Sequence, residues 1–355
     1  MRIAQIAPLH ESVPPKFYGG TERVVSWLTE ELVRRGHEVT LFASGDSQTQ
    51  ARLIPFREQA LRLDKNAIDT VAPHILMVEK AFQMADQFDL IHGHIDYYPY
   101  ALARRHPEVA FVATLHGRLD IPELQPLYDE FKDIPVISIS NAQRIPLPQA
   151  RWVGTVYHGL PLDLHPFYAE TGDYLAFLGR VSPEKGLDTA IEIATQAGMP
   201  LKVSIKIDPV DRQYYESYIY PMIRDNPNVE LIGEISEREK SELLGKAYAV
   251  LFPIRWPEPF GLVMIESMAC GTPVIATRFG SVPEVMVDGE TGFIVNSVAE
   301  AVEAVAKVGS LSRQRVRQVF EERYSVTRMV DTYEVIYQQL VAERQAAQVQ
   351  EVTAA

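Results

Sequence analysis

Apolar and polar residues along the chain switch between two periods. The run RIAQIAP is short and apolar. The next stretch, TERVVSWLTEELVRRG, sets Val24, Trp27, Leu28, Glu31 and Leu32 at helical spacing, and HEVTLFA is again short and β-rich. A strand, a helix and a strand are predicted. Further strands are expected at DLIHGH, FVATLHG, PVISIS and WVGTVYHG, several ending in Gly or His where a loop must begin. Strands apolar throughout and separated by helical stretches fit a parallel sheet covered on both faces. Ligands of such sheets sit beyond the carboxyl ends of the strands.

The pattern breaks at LPLDLHPFYAETGD, residues 160 to 173, and restarts with YLAFLG, GLDTAIEIATQAG, LKVSIKI, VELIG, SEREKSELLGKA, YAVLFP, PVIAT and GFIV. A second doubly wound domain is predicted. The expected division is 1–163, then 164–324, a C-terminal helix at 325–345 and a frayed tail at 346–355. In that last helix Ser325 can cap the start, and Val326, Met329, Val330, Tyr333, Ile336, Tyr337 and Leu340 form an apolar stripe.

A length of 355 residues agrees with two domains of roughly 100–200 residues each. No run approaches the roughly 18 apolar residues of a membrane span, and MRIAQIAPLH is too short, and too soon interrupted by Pro8, for a signal peptide. Cytoplasmic residence is the expectation. A net charge of −13 argues against nucleic acid as a partner and against strong anchoring to anionic lipid. Cys270, the single cysteine, reads as a small buried hydrophobe.

Candidate chemistry concentrates in FPIRWPEPFGLVMIESMACGTPVIA. A strand leads into a loop stiffened by prolines and Trp256, then a helix closed by Gly271. Glu258 precedes that helix and Glu266 lies on its second turn. A helix entered through Phe260 and Gly261 offers the N–H groups near Leu262 and Val263 to a phosphate. Taken alone, Glu258 reads first as a carboxylate that offsets the helix dipole in a loop that only packs. In LGRVSPEKGLDTA, Arg180 and Lys185 fall in the loop after a strand, where two cations can bind a diphosphate, although a solvated loop is the ordinary reading. Gly19 and Gly20 in KFYGGTERV allow close approach of an anion, but they are not the dinucleotide fingerprint. His92, His94 and His116 stand at strand ends; with Asp96 they could be drawn as a metal site, and a polar cleft lining is the preferred reading because no metal-ligand spacing supports them.

In this order the motifs resemble the GT-B glycosyltransferases of family 4, the glycosyl transferases of group 1. The resemblance runs through YGGTERVVSWLTEELVRRGHEVTLFA, DLIHGH, TLHG, GRVSPEKG, PIRWPEPFGLVMIESMACGTPVIAT and GSVPEVMVDGETGFIV, nearly the whole chain. The short N-terminal loop PPKFYGG is similar to that of the subgroup near the antibiotic-tailoring enzymes. The resemblance implies two Rossmann-like domains facing a cleft, with the last helix returning to the first domain. It further implies Gly19 and Gly20 against the donor diphosphate, Arg180 and Lys185 neutralising it, and the Leu262 and Val263 amides facing phosphate. Glu266 would bind the ribose, Glu258 with the Phe260 and Gly261 amides the donor sugar, and His116 would border that sugar. Lys206, at a strand end, could face the nucleotide or solvent alike. Where relatives carry N-G-V-D, this chain has His158 in VYHGLPLD, a change expected to affect packing more than chemistry.

The implied activity is retaining transfer of a hexose from a nucleotide diphosphate sugar, UDP-glucose or GDP-mannose by family frequency, to a carbohydrate or other hydroxyl acceptor, through a front-face mechanism. No D-x-D triplet occurs in the chain, in keeping with a reaction without a metal or other cofactor. Acceptor recognition is expected from loops of the first domain carrying Phe17, Tyr18, His94, Tyr97, Tyr98 and Tyr100, whose aromatic faces can stack on sugars or merely cover the sheet edge. The rival readings are a sugar-nucleotide epimerase or phosphorylase of the same fold, or a nucleotide-sugar-binding protein without turnover.

Overall fold

A computed structural model describes residues 1–16 and 19–354, with side chains through Gln350. Two compact units share the chain: Met1–Gly159 with Val326–Ala355, and Leu160–Ser325. The passage between them falls ahead of the expected boundary at 163.

The first unit is built on seven parallel strands, β1 (Arg2–Ile6), β2 (Glu38–Ala43), β3 (Arg52–Pro55), β4 (Leu90–Gly93), β5 (Ala110–Thr114), β6 (Pro135–Ser138) and β7 (Arg151–Thr155), ordered β3-β2-β1-β4-β5-β6-β7. Its central strands bury Ile3, Ile6, Leu90, Ile91 and Val112 fully, together with the polar Gln5, His92 and Thr114. Each such apolar side chain contributes about 1.5–3 kcal/mol by leaving water. The helix Gly20–Arg34 covers the sheet with Val24, Val25, Leu28 and Leu32. The edge strand β3 is half exposed and only four residues long, with Leu53 and Ile54 as its apolar pair.

The final helix, Val326–Ala354, belongs to this first unit and packs on the Gly20–Arg34 helix and on β5. Met329, Val330, Tyr333, Ile336, Tyr337 and Leu340 of the stripe read in the sequence are buried, and its first member, Val326, is half-buried. The helix continues through most of the stretch expected to fray, since AAQVQEVTA contains neither Gly nor Pro to stop it.

The second unit holds six parallel strands, β8 (Leu175–Arg180), β9 (Leu201–Lys206), β10 (Val229–Leu231), β11 (Ala249–Phe252), β12 (Val274–Thr277) and β13 (Gly292–Val295), ordered β10-β9-β8-β11-β12-β13. In each sheet the strand order reverses once, between β1 and β4 and between β8 and β11. A reversal point leaves a crevice beyond the carboxyl ends of the two strands, the usual place for a ligand in such sheets.

Candidate functional site

Beyond the reversal point of the second sheet, β8 leads into the loop of Arg180 and Lys185, and β11 into the loop of Trp256 and Glu258. The two loops touch. Gly186 adopts φ 72°, and a Cβ there would meet the Pro253 carbonyl oxygen at 2.1 Å, so only glycine permits the approach. The Arg255 amide donates to the Glu184 carbonyl at 2.8 Å, and the Arg255 guanidinium donates to Asp188 at 2.7 Å.

This contact brings Lys185 and Glu258 together. The Lys185 ammonium donates to Glu258 Oε2 at 2.5 Å, and the Trp256 indole N–H donates to the same oxygen at 2.9 Å. The ammonium also lies 5.1 Å from the centre of the Trp256 ring, within reach of a cation–π attraction. Both charged side chains are largely buried, at 18 % and 11 % exposure. Arg180 is likewise engaged, with Glu184 at 2.7 Å and Asp211 at 3.2 Å. Burial pushes the Asp211 carboxyl above its usual range despite that guanidinium. The expected diphosphate cations therefore sit against carboxylates with which a ligand would compete.

Gly261 opens the Leu262–Ala269 helix at φ 81° with no side-chain cap. The Met264 amide donates back to the Gly261 carbonyl at 3.0 Å, whereas the amides of Leu262 and Val263 have no acceptor within the helix. The Phe260 carbonyl accepts from the Ser281 hydroxyl at 2.7 Å, and the Glu258 carbonyl from the Ser281 amide at 3.0 Å, which fixes the entry loop. Gly271, at φ 79°, follows the helix end as expected. Glu266, 4 % exposed, projects from its second turn and accepts from Lys240 at 2.6 Å. Lys240 also contacts Glu237 at 2.8 Å. His165, Glu237 and Glu266 present ligand atoms within 4.8 Å of one another, a spacing that would suit a metal ion, but the Lys240 ammonium bridges the two carboxylates. Lys206 at the end of β9 lies 3.1 Å from Asp208. Cys270 is buried, and its thiol is pushed up to about 12 by burial, in agreement with an inert packing role.

In the first unit the histidines at the strand ends form one row, with His92, His94 and His158 buried and His116 half-buried. The rings of His92 and His94 are 4.0 Å apart, those of His94 and His116 5.2 Å, and those of His116 and His158 5.4 Å and stacked. His94 Nδ1 bonds His116 Nε2 at 2.9 Å, and His94 Nε2 bonds Gln5 Oε1 at 2.7 Å. His92 is held by the Tyr337 hydroxyl at 2.6 Å and the Thr114 hydroxyl at 2.7 Å. Burial lowers all four imidazoles, His116 to about 3, so the row is neutral. His94, the first residue after β4, is buried within this row. Gln143 clamps the backbone on either side of His116, donating to the Leu115 and Gly117 carbonyls at 2.9 and 2.8 Å. His92 is committed to Tyr337 and Thr114, and among the described residues the ligand atoms of His92, His94, Asp96 and His116 do not converge as a metal-binding group.

Gly19 precedes the Gly20–Arg34 helix, but its neighbours are acidic. A Cβ there would meet Pro15 at 2.9 Å, Glu22 at 3.1 Å and Glu11 at 3.2 Å. Burial raises the Glu22 carboxyl, which favours its neutral form beside any anion. Tyr97 is 41 % exposed and packs edge-on against Tyr98, whereas Tyr100 is fully buried and serves the core. Phe17 and Tyr18 lie outside the described residues.

Two family models tile the chain, Glycosyltransferase Family 4 over residues 18–163 and Glycosyl transferases group 1 over 167–323. The chain belongs to the family 4 glycosyltransferases. It is 24 % identical to N-acetyl-alpha-D-glucosaminyl L-malate synthase of Bacillus anthracis, covering 90 % of this chain and 93 % of that one. It is 25 % identical to phosphatidyl-myo-inositol mannosyltransferase of Mycobacterium leprae, covering 91 % and 90 %. Among solved structures, AviGT4, a glycosyltransferase of avilamycin A biosynthesis, superimposes with a TM-score of 0.72 at 23 % identity over 96 % of this chain and 98 % of that one. HepE of Anabaena in complex with UDP and glucose gives 0.76 at 17 % identity over 96 % and 100 %. The two parallel sheets are those of the GT-B fold. As a family 4 member the chain is a sugar transferase.

Sequence reading did not find Lys240, Gln5, Gln143 or Asp211. Two of them left a trace. Gln5 is a polar residue inside the apolar strand RIAQI, and Lys240 precedes Leu243 and Leu244 on one helix face. A buried position held by a polar residue implies a partner.

Proposed function

We propose that this transferase is a cytoplasmic, retaining enzyme that moves a hexose from a nucleotide diphosphate sugar, UDP-glucose or GDP-mannose first among candidates, to a hydroxyl acceptor without a metal ion. The observation that carries the reading is the meeting of Lys185, Trp256 and Glu258 beside the uncapped helix start at Gly261. Cleavage of a sugar–phosphate bond places negative charge on the departing diphosphate. A preorganised ammonium and a helix N-terminus stabilise charge that develops there. As a diphosphate takes Lys185, Glu258 is released to accept hydroxyls of the donor sugar.

In this reading the bond from the anomeric carbon to the phosphate oxygen breaks, the acceptor oxygen attacks on the same face, and the departing phosphate oxygen takes the acceptor's proton. A neutral His116 adds no positive charge near a sugar that is becoming cationic. Glu266 has the acceptor chemistry to bind a ribose. The structures of HepE with UDP and UDP-glucose support a nucleotide diphosphate sugar as the donor class.

The test is a thermal-shift screen of UDP-, GDP- and ADP-sugars, followed by transfer assays with and without chelator and assignment of the product anomer by NMR. A bound donor raises the unfolding temperature by mass action. An inverted product, or loss of transfer to chelator, would remove the retaining or the metal-free part of the proposal.

A further inference from the structure

Glu266 does not stand alone in the interior of the second unit. The helix Glu237–Gly245, opened by a capping box between Ser236 and Glu239, turns Lys240 inward until its side chain is 11 % exposed. The ammonium reaches Glu266 Oε1 at 2.6 Å and Glu237 Oε1 at 2.8 Å. The Glu266 side chain is 5 % exposed.

The other charged and titratable groups around this pair have their own contacts. His165 bonds the Ser241 hydroxyl through Nδ1 at 2.7 Å and lies 3.5 Å from Glu237 through Nε2. Arg313, from the helix Arg313–Arg323, donates to the Tyr168, Gly245 and Ala247 carbonyls and to the Thr272 hydroxyl. Arg317 donates to the Leu162, His165 and Ala269 carbonyls and to Glu321. The Cys270 thiol is raised by burial and by Glu266, and is neutral. The Lys240 ammonium, in direct contact with Glu266 Oε1, is a cation placed to neutralise it.

A carboxyl this deeply buried takes up a proton in preference to carrying charge unless a cation compensates it. The protonated form keeps less acceptor capacity than the carboxylate, which accepts at both oxygens. We propose that Lys240 is a positioning residue for nucleotide recognition, holding Glu266 as a fixed, ionised acceptor for the vicinal hydroxyls of the donor's ribose. The inference rests on the reading of Glu266 as a ribose ligand. It adds a residue from a neighbouring helix whose charge, rather than its packing, sets the affinity.

The test measures binding of UDP and GDP by calorimetry from about pH 6 to about pH 9, a range spanning the raised values of buried carboxyls, for the native chain, Lys240→Met and Lys240→Arg. The native chain and Lys240→Arg should bind alike at all pH values. Lys240→Met should lose at least about tenfold in affinity at the acid end, the equivalent of one charged hydrogen bond, and recover toward native affinity at the alkaline end as Glu266 ionises. A loss equal at every pH, or no loss, overturns the proposal, because a purely structural tie between helices has no reason to titrate. Should Lys240→Met not fold, Lys240→Gln carries the same comparison with a neutral hydrogen-bonding side chain. Two controls separate this inference from the reading beneath it. Native chain that binds 2′-deoxy-UDP or 2′-deoxy-GDP as tightly as the ribonucleotide removes the ribose role of Glu266. An infrared carboxylic-acid band that appears in Lys240→Met and is absent from Lys240→Met/Glu266→Gln reports the ionisation alone, and its absence from Lys240→Met overturns the Lys240 assignment whatever binds.

Discussion

The Lys185 ammonium lies 2.5 Å from Glu258 Oε2, although the two residues are 73 positions apart in the chain. One comes from the loop after β8 and the other from the loop after β11, the strands between which the second sheet reverses its order. Lys185→Ala should reduce kcat by about a hundredfold or more, the cost typical of losing one preorganised donor to a developing oxyanion, and should weaken nucleotide binding. Trp256→Phe retains the ring beneath the ammonium and removes only the indole N–H, so its loss should stay within about tenfold. Steady-state kinetics together with nucleotide calorimetry measures both. Unchanged turnover in Lys185→Ala would take Lys185 out of the site.

Gly261→Ala places a Cβ 2.9 Å from the Phe252 ring at a backbone φ of 81°. Gly289 has a similar φ of 74° with nothing within 4 Å of its Cβ position. Both substitutions incur the left-handed strain of about 1–3 kcal/mol, and only Gly261→Ala adds the clash. Thermal unfolding should therefore rank Gly261→Ala clearly below Gly289→Ala, with nucleotide affinity lost in the first and kept in the second. Equal behaviour in the two variants would show that the helix entry tolerates movement.

The neutral histidine row makes the chain sensitive to mild acid. Burial holds His92, His94, His116 and His158 below the ordinary imidazole value, His116 at about 3, whereas the unfolded chain protonates near pH 6.5. The unfolded state thus binds more protons below that pH. The stability these residues contribute is complete above about pH 6.5 and declines as the pH falls toward their folded values, by up to about 1.4 kcal/mol per histidine per pH unit. Urea unfolding at about pH 7.5, 6.5 and 5.5 tests this in a window where most carboxylates stay charged. A flat midpoint across that range contradicts a neutral row.

Tyr337→Phe removes the hydroxyl that bonds His92 Nδ1 at 2.6 Å and leaves a buried polar atom without that partner. The expected cost is about 1–3 kcal/mol, larger than that of an exposed tyrosine such as Tyr220, 46 % exposed on the second unit. Chemical denaturation of Tyr337→Phe and Tyr220→Phe makes the comparison, and equal midpoints would deny the hydroxyl a structural role.

Both doubly wound sheets, and the apolar stripe of the last helix, were legible in the sequence because period and apolar content set them locally. Strand β3 was not, since a half-exposed edge strand needs no apolar alternation. Glu258, Lys185 and Gly261 could be singled out because charge before a helix, a cation after a strand and a glycine at a helix entry each have a local meaning. Their pairing could not. Which carboxylate neutralises which cation is decided by how loops far apart in sequence fold against each other. That is why Arg180 was read without Asp211, Glu266 without Lys240, His94 without Gln5, and His116 without Gln143.

The helix Val326–Ala354 completes the first unit, while residues 160–325 between them form the second. Synthesis therefore finishes the two units in the reverse of the order in which it begins them. A nascent chain that has emerged as far as Ser325 carries every residue of the second unit, yet His92 and Thr114 of the first still lack Tyr337 and Tyr333. The first sheet therefore stays without its last helix through the translation of residues 160–325.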